Sequence, residues 1–301
     1  MPIFRLLPAV LFFLGLAACQ AARPAAPASI AETDSPAIAA KLTAEFARLK
    51  KEGQLVPLAV LRGQLARKSC ALDLPTAGGG APMALPALYR QAREGVMMVG
   101  GAATCGEPHC HQTHVNPASG YMITATGVMV TNYHVMAEHP DPTGKHVEYP
   151  DGAIAADCHG QVYPIVEVLA ADQEADIAIV RLGCANGASF HPLALRPNAE
   201  IGEAISIISH PEFHFYMLST GIITQYLADA RRQTPPHAMC VSAEYGGGSS
   251  GAPVLDSCGR VVGMVSSTHT VFGSPARTQM VVRNCVPAAA ILRLIGVPAG
   301  R

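Results

Sequence analysis

The sequence has no tryptophan and few aromatic residues of any kind. Of its 301 residues, 5% are aromatic and 14% are charged, and the formal net charge is −1. No run of Lys or Arg is long enough to follow a phosphate backbone, and few rings are present on which bases could stack. We therefore predict that the protein does not bind nucleic acid. Nor do we expect a cofactor or a bound metal ion.

The apolar run at the N-terminus is too short for an ordinary membrane-spanning helix, which needs about 20 residues. Arg5 precedes the apolar residues 6–16, and the segment Leu16-Ala17-Ala18-Cys19 follows. This segment resembles the bacterial lipobox, in which the cysteine is lipidated and becomes the new N-terminus. An ordinary signal peptide with an incidental cysteine is the alternative.

The lipobox resemblance implies export and a lipid anchor. We therefore predict a signal peptide at residues 1–18 and a lipidated cysteine at Cys19. The resemblance implies more than one acyl chain on this cysteine, and stable anchoring needs more than one chain. Gln20 follows the cysteine where an Asp would retain such a protein at the inner membrane. In a Gram-negative cell this implies the outer membrane, with the protein facing the periplasm or the cell surface.

The number of cysteines agrees with export. The chain has nine, so lipidation of Cys19 leaves an even number, and an oxidising compartment then predicts up to four disulfides. The pairing is open except for Cys105 with Cys110, which we predict to close a tight loop. Histidines also occur in the segment 105–114, so a zinc site is the alternative there.

Short strands dominate the predicted secondary structure. Gly and Pro are plentiful, with 28 and 24 residues, and short apolar segments between turn residues are typical of a sandwich or barrel. The predicted strands are 96–99, 121–124, 127–131, 161–169, 177–182, 204–209, 219–226, 239–243, 253–256 and 260–266. Apolar residues at helical spacing predict helices over 36–52, 85–93 and 287–295. The Ala- and Pro-rich segment 20–40 is typical of a flexible tether.

Three segments contain residues suited to nucleophilic catalysis. In the first, an apolar strand from Gly127 runs into His134. In the second, Asp176 directly precedes a buried-looking strand. In the third, Ser250 lies in a glycine-rich turn that opens a new strand. Each segment alone has a structural explanation, as a surface or core histidine, a turn aspartate or a loop.

Together the three residue types form a coherent chemical unit. A serine hydroxyl is a weak nucleophile until a base such as imidazole takes its proton. The imidazole needs a carboxylate to fix its tautomer and to stabilise its charged form. Glycines before Ser250 allow the backbone amides of Gly248 and Ser250 to point at one spot, the oxyanion hole.

The order of these segments resembles the chymotrypsin-type serine proteases. His134 comes first, Asp176 second and Ser250 third, an order that differs from those of subtilisin and the α/β-hydrolases. From about residue 88 to residue 267 the chain is most similar to the bacterial high-temperature-requirement, or Deg-type, branch of that family. The resemblance implies an all-β fold of two six-stranded antiparallel barrels with a C-terminal helix and an N-terminal helical and linker extension.

The resemblance also implies the domain boundaries. A lipidated tether and helical extension would cover residues 19–84, and the protease domain would cover 85–301. Within it, the first barrel would span about 95–190 and the second about 191–301. We expect no peptide-binding domain of the Deg type after the barrels.

The resemblance assigns further residues to substrate binding. Ser266 lies where relatives use a serine to hydrogen-bond the catalytic aspartate, and the strand with Ser267 and Thr268 would line an extended substrate. Glu244 lies where trypsin-like enzymes have the floor of the primary pocket. A carboxylate there would favour Lys or Arg in the substrate, and a solvent-exposed glutamate is the alternative.

The predicted function is a serine endopeptidase that cleaves protein substrates through an acyl-enzyme. One departure from the family keeps an alternative open: Ser249 replaces the Asp or Asn that relatives carry before the nucleophile. The alternative is an inactive protease fold that serves as a binding or adhesion lipoprotein. The sequence does not define the oligomeric state.

Overall fold

The computed structural model describes residues 33–76, 78–104, 113–137, 148–184, 187–228, 237–274 and 277–296. Residues from Asp34 onward form one compact unit. The predicted signal peptide and Cys19 lie outside the described residues, and so do Cys105, Cys110 and most of the 105–114 segment. The predicted anchor and the predicted short disulfide loop therefore stay predictions.

Strands make up most of the described chain. In chain order they are β1 (Cys70–Ala71), β2 (Val96–Thr104), β3 (Thr113–Met122), β4 (Val128–Thr131), β5 (Glu148–Ala156), β6 (Val162–Asp172), β7 (Ile177–Leu182), β8 (Ala204–Ser209), β9 (Met217–Tyr226), β10 (Met239–Val241), β11 (Pro253–Leu255), β12 (Val261–Ser274), β13 (Arg277–Pro287) and β14 (Ile295–Gly296). The helices are α1 (Ser35–Lys51), α2 (Leu58–Gly63), α3 (Leu85–Ala92), α4 (Tyr133–Met136) and α5 (Ala288–Arg293). None of these helices is both long and apolar enough to cross a membrane.

The strands close into two antiparallel barrels. The first has the order β2-β3-β4-β7-β6-β5, and the second has the order β10-β13-β12-β11-β8-β9. The fold class predicted from the sequence, two six-stranded antiparallel barrels with helices at the ends, is confirmed. A closed barrel has no free sheet edge at which another chain could pair.

Each barrel has its own apolar interior, and a further core joins the two. Met97, Met129 and Val180 are buried inside the first barrel, whereas Ile207 and Val254 are buried inside the second. The joining core contains apolar residues from both barrels and from α3 and α5, including Val130, Ile208, Leu88 and Ile291. This shared core holds one barrel against the other, which fixes the relative position of the loops between them.

The segment before the barrels packs on the first barrel. Helix α1 buries Leu42, Phe46 and Leu49, and these side chains contact barrel residues such as Met98 and Ile154. Asp34 caps this helix by accepting a hydrogen bond from the amide of Ala37 at 2.9 Å. The helix predicted over 36–52 is thus present, and its first turn overlaps the end of the segment 20–40 that we expected to be a flexible tether.

The sequence pattern did not predict the long strands β5 and β13, and it predicted only the last two residues of β3, as part of the strand 121–124. Strand β5 contains Pro150 and Gly152, and β3 contains Pro117 and Gly120, which are residues typical of turns. Strand β13 is polar along its first half, where its residues are exposed. In each case the pairing with neighbouring strands overrides the local residue preference.

The cysteines of the described residues are unpaired. Free thiols occur at Cys70, Cys158, Cys184, Cys240, Cys258 and Cys285. The prediction of up to four disulfides is therefore wrong for this part of the chain. Cys240 pairs with Asn284 and Met239 pairs with Cys285 across β10 and β13. Because successive side chains of a strand point to opposite faces, Cys240 and Cys285 lie on opposite sides of the sheet and cannot bridge.

Candidate active site

His134 lies directly after a buried strand of the first barrel. All four residues of β4 are buried, and the strand pairs with β3 and β7. Thr131 ends the strand, and its hydroxyl donates to the carbonyl of Ser119 at 2.8 Å. The chain then makes the short helix α4, which carries His134 with its side chain 38% exposed. The imidazole is therefore held on a rigid strand end and remains accessible from solvent.

The Asp176 carboxylate receives hydrogen bonds from His134 and from the second barrel. The Nδ1 atom of His134 lies 2.9 Å from Oδ2 and 3.0 Å from Oδ1, and the His134 amide donates to Oδ1 at 3.1 Å. Ser266 Oγ donates to Oδ2 at 2.6 Å. The Asp176 side chain is 5% exposed. A buried carboxylate with several donors is the arrangement that orients a neighbouring imidazole.

Asp176 has an unusual backbone conformation. Its φ is 58°, in the left-handed region that residues with a Cβ rarely adopt. The conformation is held because Asn132 Nδ2 donates to the Asp176 carbonyl at 2.9 Å. Backbone strain of this kind is concentrated at functional sites.

Ser250 lies in a tight turn whose glycines are required by close packing. Gly248 and Gly251 have φ values of +91° and +88°. A Cβ on Gly251 would lie 2.1 Å from the Ser119 carbonyl oxygen, and one on Gly248 would lie 2.4 Å from the His210 carbonyl oxygen. The turn therefore takes this shape only with glycine at these two positions.

The two predicted oxyanion-hole amides are not used by the described part of the fold. Ser249 N donates to Gly246 O, and Gly251 N donates to Val265 O, each at 3.0 Å. The amides of Gly248 and Ser250 donate to no described residue. Ser250 Oγ lies 3.4 Å from the carbonyl oxygen of Ser266, which is a long and weak contact.

Ser119, on β3 of the first barrel, forms hydrogen bonds to the Ser250 turn of the second barrel. Its amide donates to the Ser250 carbonyl at 2.8 Å, and its hydroxyl donates to the Gly248 carbonyl at 2.9 Å. Ser119 is fully buried. These two bonds fix the turn relative to the strand that is paired with β4, and hence relative to His134.

The side chain of Ser249, which belongs to the same turn, is fully buried. Its hydroxyl donates to the hydroxyl of Ser209, at the end of β8, over 3.0 Å. The amide of Gly246 contacts Ser249 Oγ at 3.4 Å. A neutral hydroxyl pair therefore lies where the resemblance led us to expect Asp or Asn.

The loop that follows β8 supports the turn from behind. His210 is fully buried there, and Tyr216 N donates to its Nδ1 at 3.1 Å. Burial lowers the pKa of His210 to about 3, although the nearby carbonyl of Met97 favours the protonated form.

The backbone of the same loop also contacts the turn. Glu212 N donates to the Gly247 carbonyl at 2.8 Å. Glu212, Phe213 and Tyr216 all have positive φ.

The predicted substrate strand lies next to the turn. Ser267 and Thr268 belong to β12 and pair with Asn284 and Arg283 of β13. The hydroxyl of Tyr245 lies 2.9 Å from the Ser267 carbonyl oxygen and 3.0 Å from that of Asn284. Tyr245 therefore fixes the start of the turn segment against this strand pair.

Glu244 does not lie at the floor of a buried pocket. Its side chain is 70% exposed and forms an ion pair with the guanidinium of Arg283, whose side chain is 15% exposed. Solvent and the Arg283 charge both weaken the attraction that the carboxylate could exert on a substrate cation. The exposure and the ion pair favour the alternative, a solvent-exposed glutamate, and the role of Glu244 in substrate binding stays a prediction.

Sequence reasoning missed the residues that support the site. Ser119, Ser209 and His210 contact the turn from elements distant in sequence, and none belongs to a motif with a chemical signature of its own. For Ser209, the one available signal was a polar residue at the end of the predicted strand 204–209, whereas Ser119 lies outside every predicted strand and gave no signal. Such residues are buried only when they have a partner.

The two barrels and the His134, Asp176 and Ser250 segments between them define a serine protease scaffold of the chymotrypsin type. Residues 118–264 match the family model described as a trypsin-like peptidase domain. The chain thus contains a trypsin-like peptidase domain and is related to the Deg and HtrA proteases.

The relatives are distant in sequence. The chain is 24% identical over 162 residues to the chloroplastic protease Do-like 5 of Arabidopsis thaliana, covering 52% of this chain and 49% of the relative. It is 27% identical over 154 residues to the mitochondrial serine protease HTRA2 of Bos taurus, covering 50% of this chain and 31% of the relative. The chain thus spans at most about half the length of these two proteins.

A solved structure agrees with the fold. An HtrA-type protease with a decapeptide superposes with a TM-score of 0.52 at 16% identity, over 70% of this chain and 65% of that one. At this identity the similarity establishes the fold alone.

Proposed function

We propose that this chain is a serine endopeptidase that hydrolyses peptide bonds of protein substrates. The observation that carries the proposal is the contact of His134 Nδ1 with the buried Asp176 carboxylate at 2.9 Å. With the Nδ1 hydrogen donated to the carboxylate, the neutral ring has its basic lone pair on Nε2. That is the tautomer a general base for Ser250 requires.

The reaction proceeds in two halves through a covalent intermediate. Ser250 Oγ attacks the carbonyl carbon while its proton passes to His134 Nε2, and the carbonyl electron pair moves onto the oxygen. The tetrahedral intermediate collapses, the C–N bond breaks, and His134 returns the proton to the leaving amine. Water then repeats these steps on the acyl-enzyme ester and releases the acid and the free Ser250 hydroxyl.

The oxyanion is stabilised by the amides of Gly248 and Ser250. Their lack of another acceptor among the described residues supports this role. Donors already oriented toward the developing charge do not have to reorganise during the reaction, and losing one donor typically costs about 10²–10³ in rate. Ser119, through its hydrogen bond to the Gly248 carbonyl, is a positioning residue for this hole.

An extended peptide would bind along β12. On one edge this strand pairs with β13, whereas its pairing with β11 ends at Met264. Val265 still exchanges hydrogen bonds with Gly251 and Ala252. The backbone of 266–268 can therefore accept a substrate strand next to Ser250, which is the β-addition mode of peptide recognition.

We further propose that the enzyme is exported and anchored to the cell envelope through Cys19. The lipobox resemblance of residues 16–19 supports this proposal. Mass spectrometry of the mature N-terminus should find an acylated cysteine. Cys19→Ala should remove the protein from the membrane fraction. An unmodified Cys19 in the mature protein would contradict the anchor while leaving the protease proposal intact.

Digestion of an unfolded protein substrate tests the enzymatic proposal. The purified chain should produce new peptide N-termini, and Ser250→Ala should abolish them. Ser257→Ala changes an exposed serine on the turn before β12 and serves as the matched control. Equal cleavage by Ser250→Ala and the wild type would refute the assignment of the nucleophile.

A further inference from the structure

We propose a divalent metal site, of the kind that binds zinc, formed by Glu94, Cys158 and His159 on the first barrel. One ligand atom from each of these residues lies within 4.8 Å of the other two. The residues come from separate parts of the chain: Glu94 precedes β2, whereas Cys158 and His159 lie in the turn between β5 and β6. This site departs from the sequence-based expectation that no metal is bound.

The donor set selects the class of metal. A thiolate, an imidazole and a carboxylate together suit zinc and similar borderline ions, whereas calcium and magnesium prefer oxygen ligands alone. The typical zinc bond lengths place tetrahedral ligand atoms about 3.3–3.7 Å apart. Glu94 Oε2 and His159 Nε2 are 2.6 Å apart. The two atoms must therefore move apart to bind one ion, and the exposed His159 side chain can rotate to allow this.

The turn that carries two of the ligands is preformed. Asp157 Oδ1 accepts from the amides of His159 and Gln161, each at 2.9 Å, and its Oδ2 accepts from the Tyr163 hydroxyl at 3.2 Å. Asp157 is therefore occupied as the support of the turn. Because the turn is already ordered, little conformational entropy is lost on metal binding.

An unpaired hydroxyl and solvent access add to the case for a ligand. The Tyr216 hydroxyl is buried without a hydrogen-bond partner among the described residues, and Tyr216 lies close enough to Cys158 for the two to interact electrostatically. Buried polar atoms without a partner often mark a missing water or ion. The His159 side chain is 66% exposed and that of Glu94 is 37% exposed, so an ion can enter from solvent.

Occupation of the site would connect the segment before β2 with the turn between β5 and β6, and Tyr216, near Cys158, is linked in turn to the Ser250 turn. Tyr89 donates to the Tyr216 carbonyl at 3.0 Å, and Tyr216 N donates to His210, whose carbonyl packs on Gly248. A metal bound to the folded state alone stabilises that state. We therefore expect the thermal midpoint of unfolding to rise with added zinc.

Cobalt absorption tests the proposal on the full chain in detergent under reducing conditions. Residues 105–114 contain other cysteines and histidines, so the measurement uses a Cys105→Ser, Cys110→Ser background. Added Co²⁺ should give a thiolate-to-cobalt charge-transfer band that zinc displaces. Cys158→Ser should remove the band, whereas Cys184→Ser, which changes an exposed free thiol, should retain it.

Two further variants test the geometry without removing the thiol. Glu94→Gln should keep the band but weaken binding by about tenfold or more, since it removes one of three ligands. Arg93→Gln should tighten binding, because the Arg93 cation lies 3.8 Å from the Glu94 carboxylate, also contacts the Cys158 sulfur, and so competes with the ion for two of its ligands. Absence of a band in folded protein, or a band that survives Cys158→Ser, would overturn the proposal.

Discussion

Ser266 donates a 2.6 Å hydrogen bond from its hydroxyl to Oδ2 of Asp176, and this bond crosses from the second barrel to the first. Asp176 ends the turn between β6 and β7, whereas Ser266 lies in β12 next to Ser250. The bond therefore fixes the carboxylate that orients His134 relative to the element that carries the nucleophile. Hydrogen bonds to a buried carboxylate are among the stronger ones in proteins.

Removal of the Ser266 hydroxyl should lower kcat more than it changes KM. A hydrogen bond to a charged group is worth about 1.5–3 kcal/mol, so we expect Ser266→Ala to lower kcat about tenfold to a hundredfold. Steady-state kinetics on a peptide substrate measures the split. Ser274→Ala, an exposed position on the same strand, is the control and should keep wild-type values. An unchanged kcat in Ser266→Ala would show that the bond does not position the carboxylate.

The buried hydroxyl pair of Ser209 and Ser249 should behave as a coupled unit. Ser249→Ala leaves the Ser209 hydroxyl without its 3.0 Å partner, which we expect to lower the free energy of unfolding by about 1–3 kcal/mol. The double variant with Ser209→Ala should lose less than the sum of the two single variants, because neither partner is then left unsatisfied. Urea unfolding of the four proteins gives the coupling energy. Additive losses would indicate that the two hydroxyls do not interact.

Part of this site could be predicted from the sequence, and the reason is local. His134, Asp176 and Ser250 each follow or precede a short apolar strand or a glycine-rich turn, so a pattern within ten residues predicts their placement. The pattern of short apolar segments between turn residues predicted only a sandwich or a barrel, and the two six-stranded barrels were implied by the resemblance to the chymotrypsin-type proteases.

The supporting residues were not predictable in the same way. Ser119 acts through two hydrogen bonds and Ser209 through one, all to atoms far away in sequence, and one serine in a strand does not indicate which distant partner it will have. The ion pair of Glu244 depends on Arg283, which lies on a strand that the residue pattern did not predict. Cysteine counting also failed, because parity does not specify the geometry that a bridge needs.

His210 should make the fold sensitive to acid. The unfolded chain binds a proton at His210 below the usual pKa of about 6.5, whereas the folded state binds it only near its pKa of about 3. The stabilisation from keeping this ring neutral is thus fully present above pH 6.5 and is lost as the pH falls from 6.5 toward 3. The slope is about 1.4 kcal/mol per pH unit for one proton.

Substitution of His210 isolates this contribution. His210→Asn removes the titrating group, so the stability difference between wild type and variant should shrink by about 2 kcal/mol from pH 7 to pH 5. Urea unfolding at both pH values measures it. His191→Gln changes an exposed histidine and should show no such change. A difference that stays constant with pH for His210→Asn would contradict the buried neutral histidine.

Glu244 should have no role in substrate preference. Since its carboxylate is exposed and paired with Arg283, we expect Glu244→Gln to leave the cleavage profile of a peptide library unchanged, with rates within about twofold. The profile should show no preference for Lys or Arg that depends on this residue. If the wild type preferred Lys or Arg and Glu244→Gln lost that preference, Glu244 would belong to the primary pocket.

The central claim is that Ser250 is an activated nucleophile, and covalent labelling tests it most directly. A fluorophosphonate should label the native chain, and peptide mapping should find the phosphonylated residue at position 250 and nowhere else. Ser250→Ala should take up no label, while the Ser257→Ala control should be labelled as the wild type is. Equal labelling of Ser250→Ala, or no labelling of folded wild-type protein, would contradict the account.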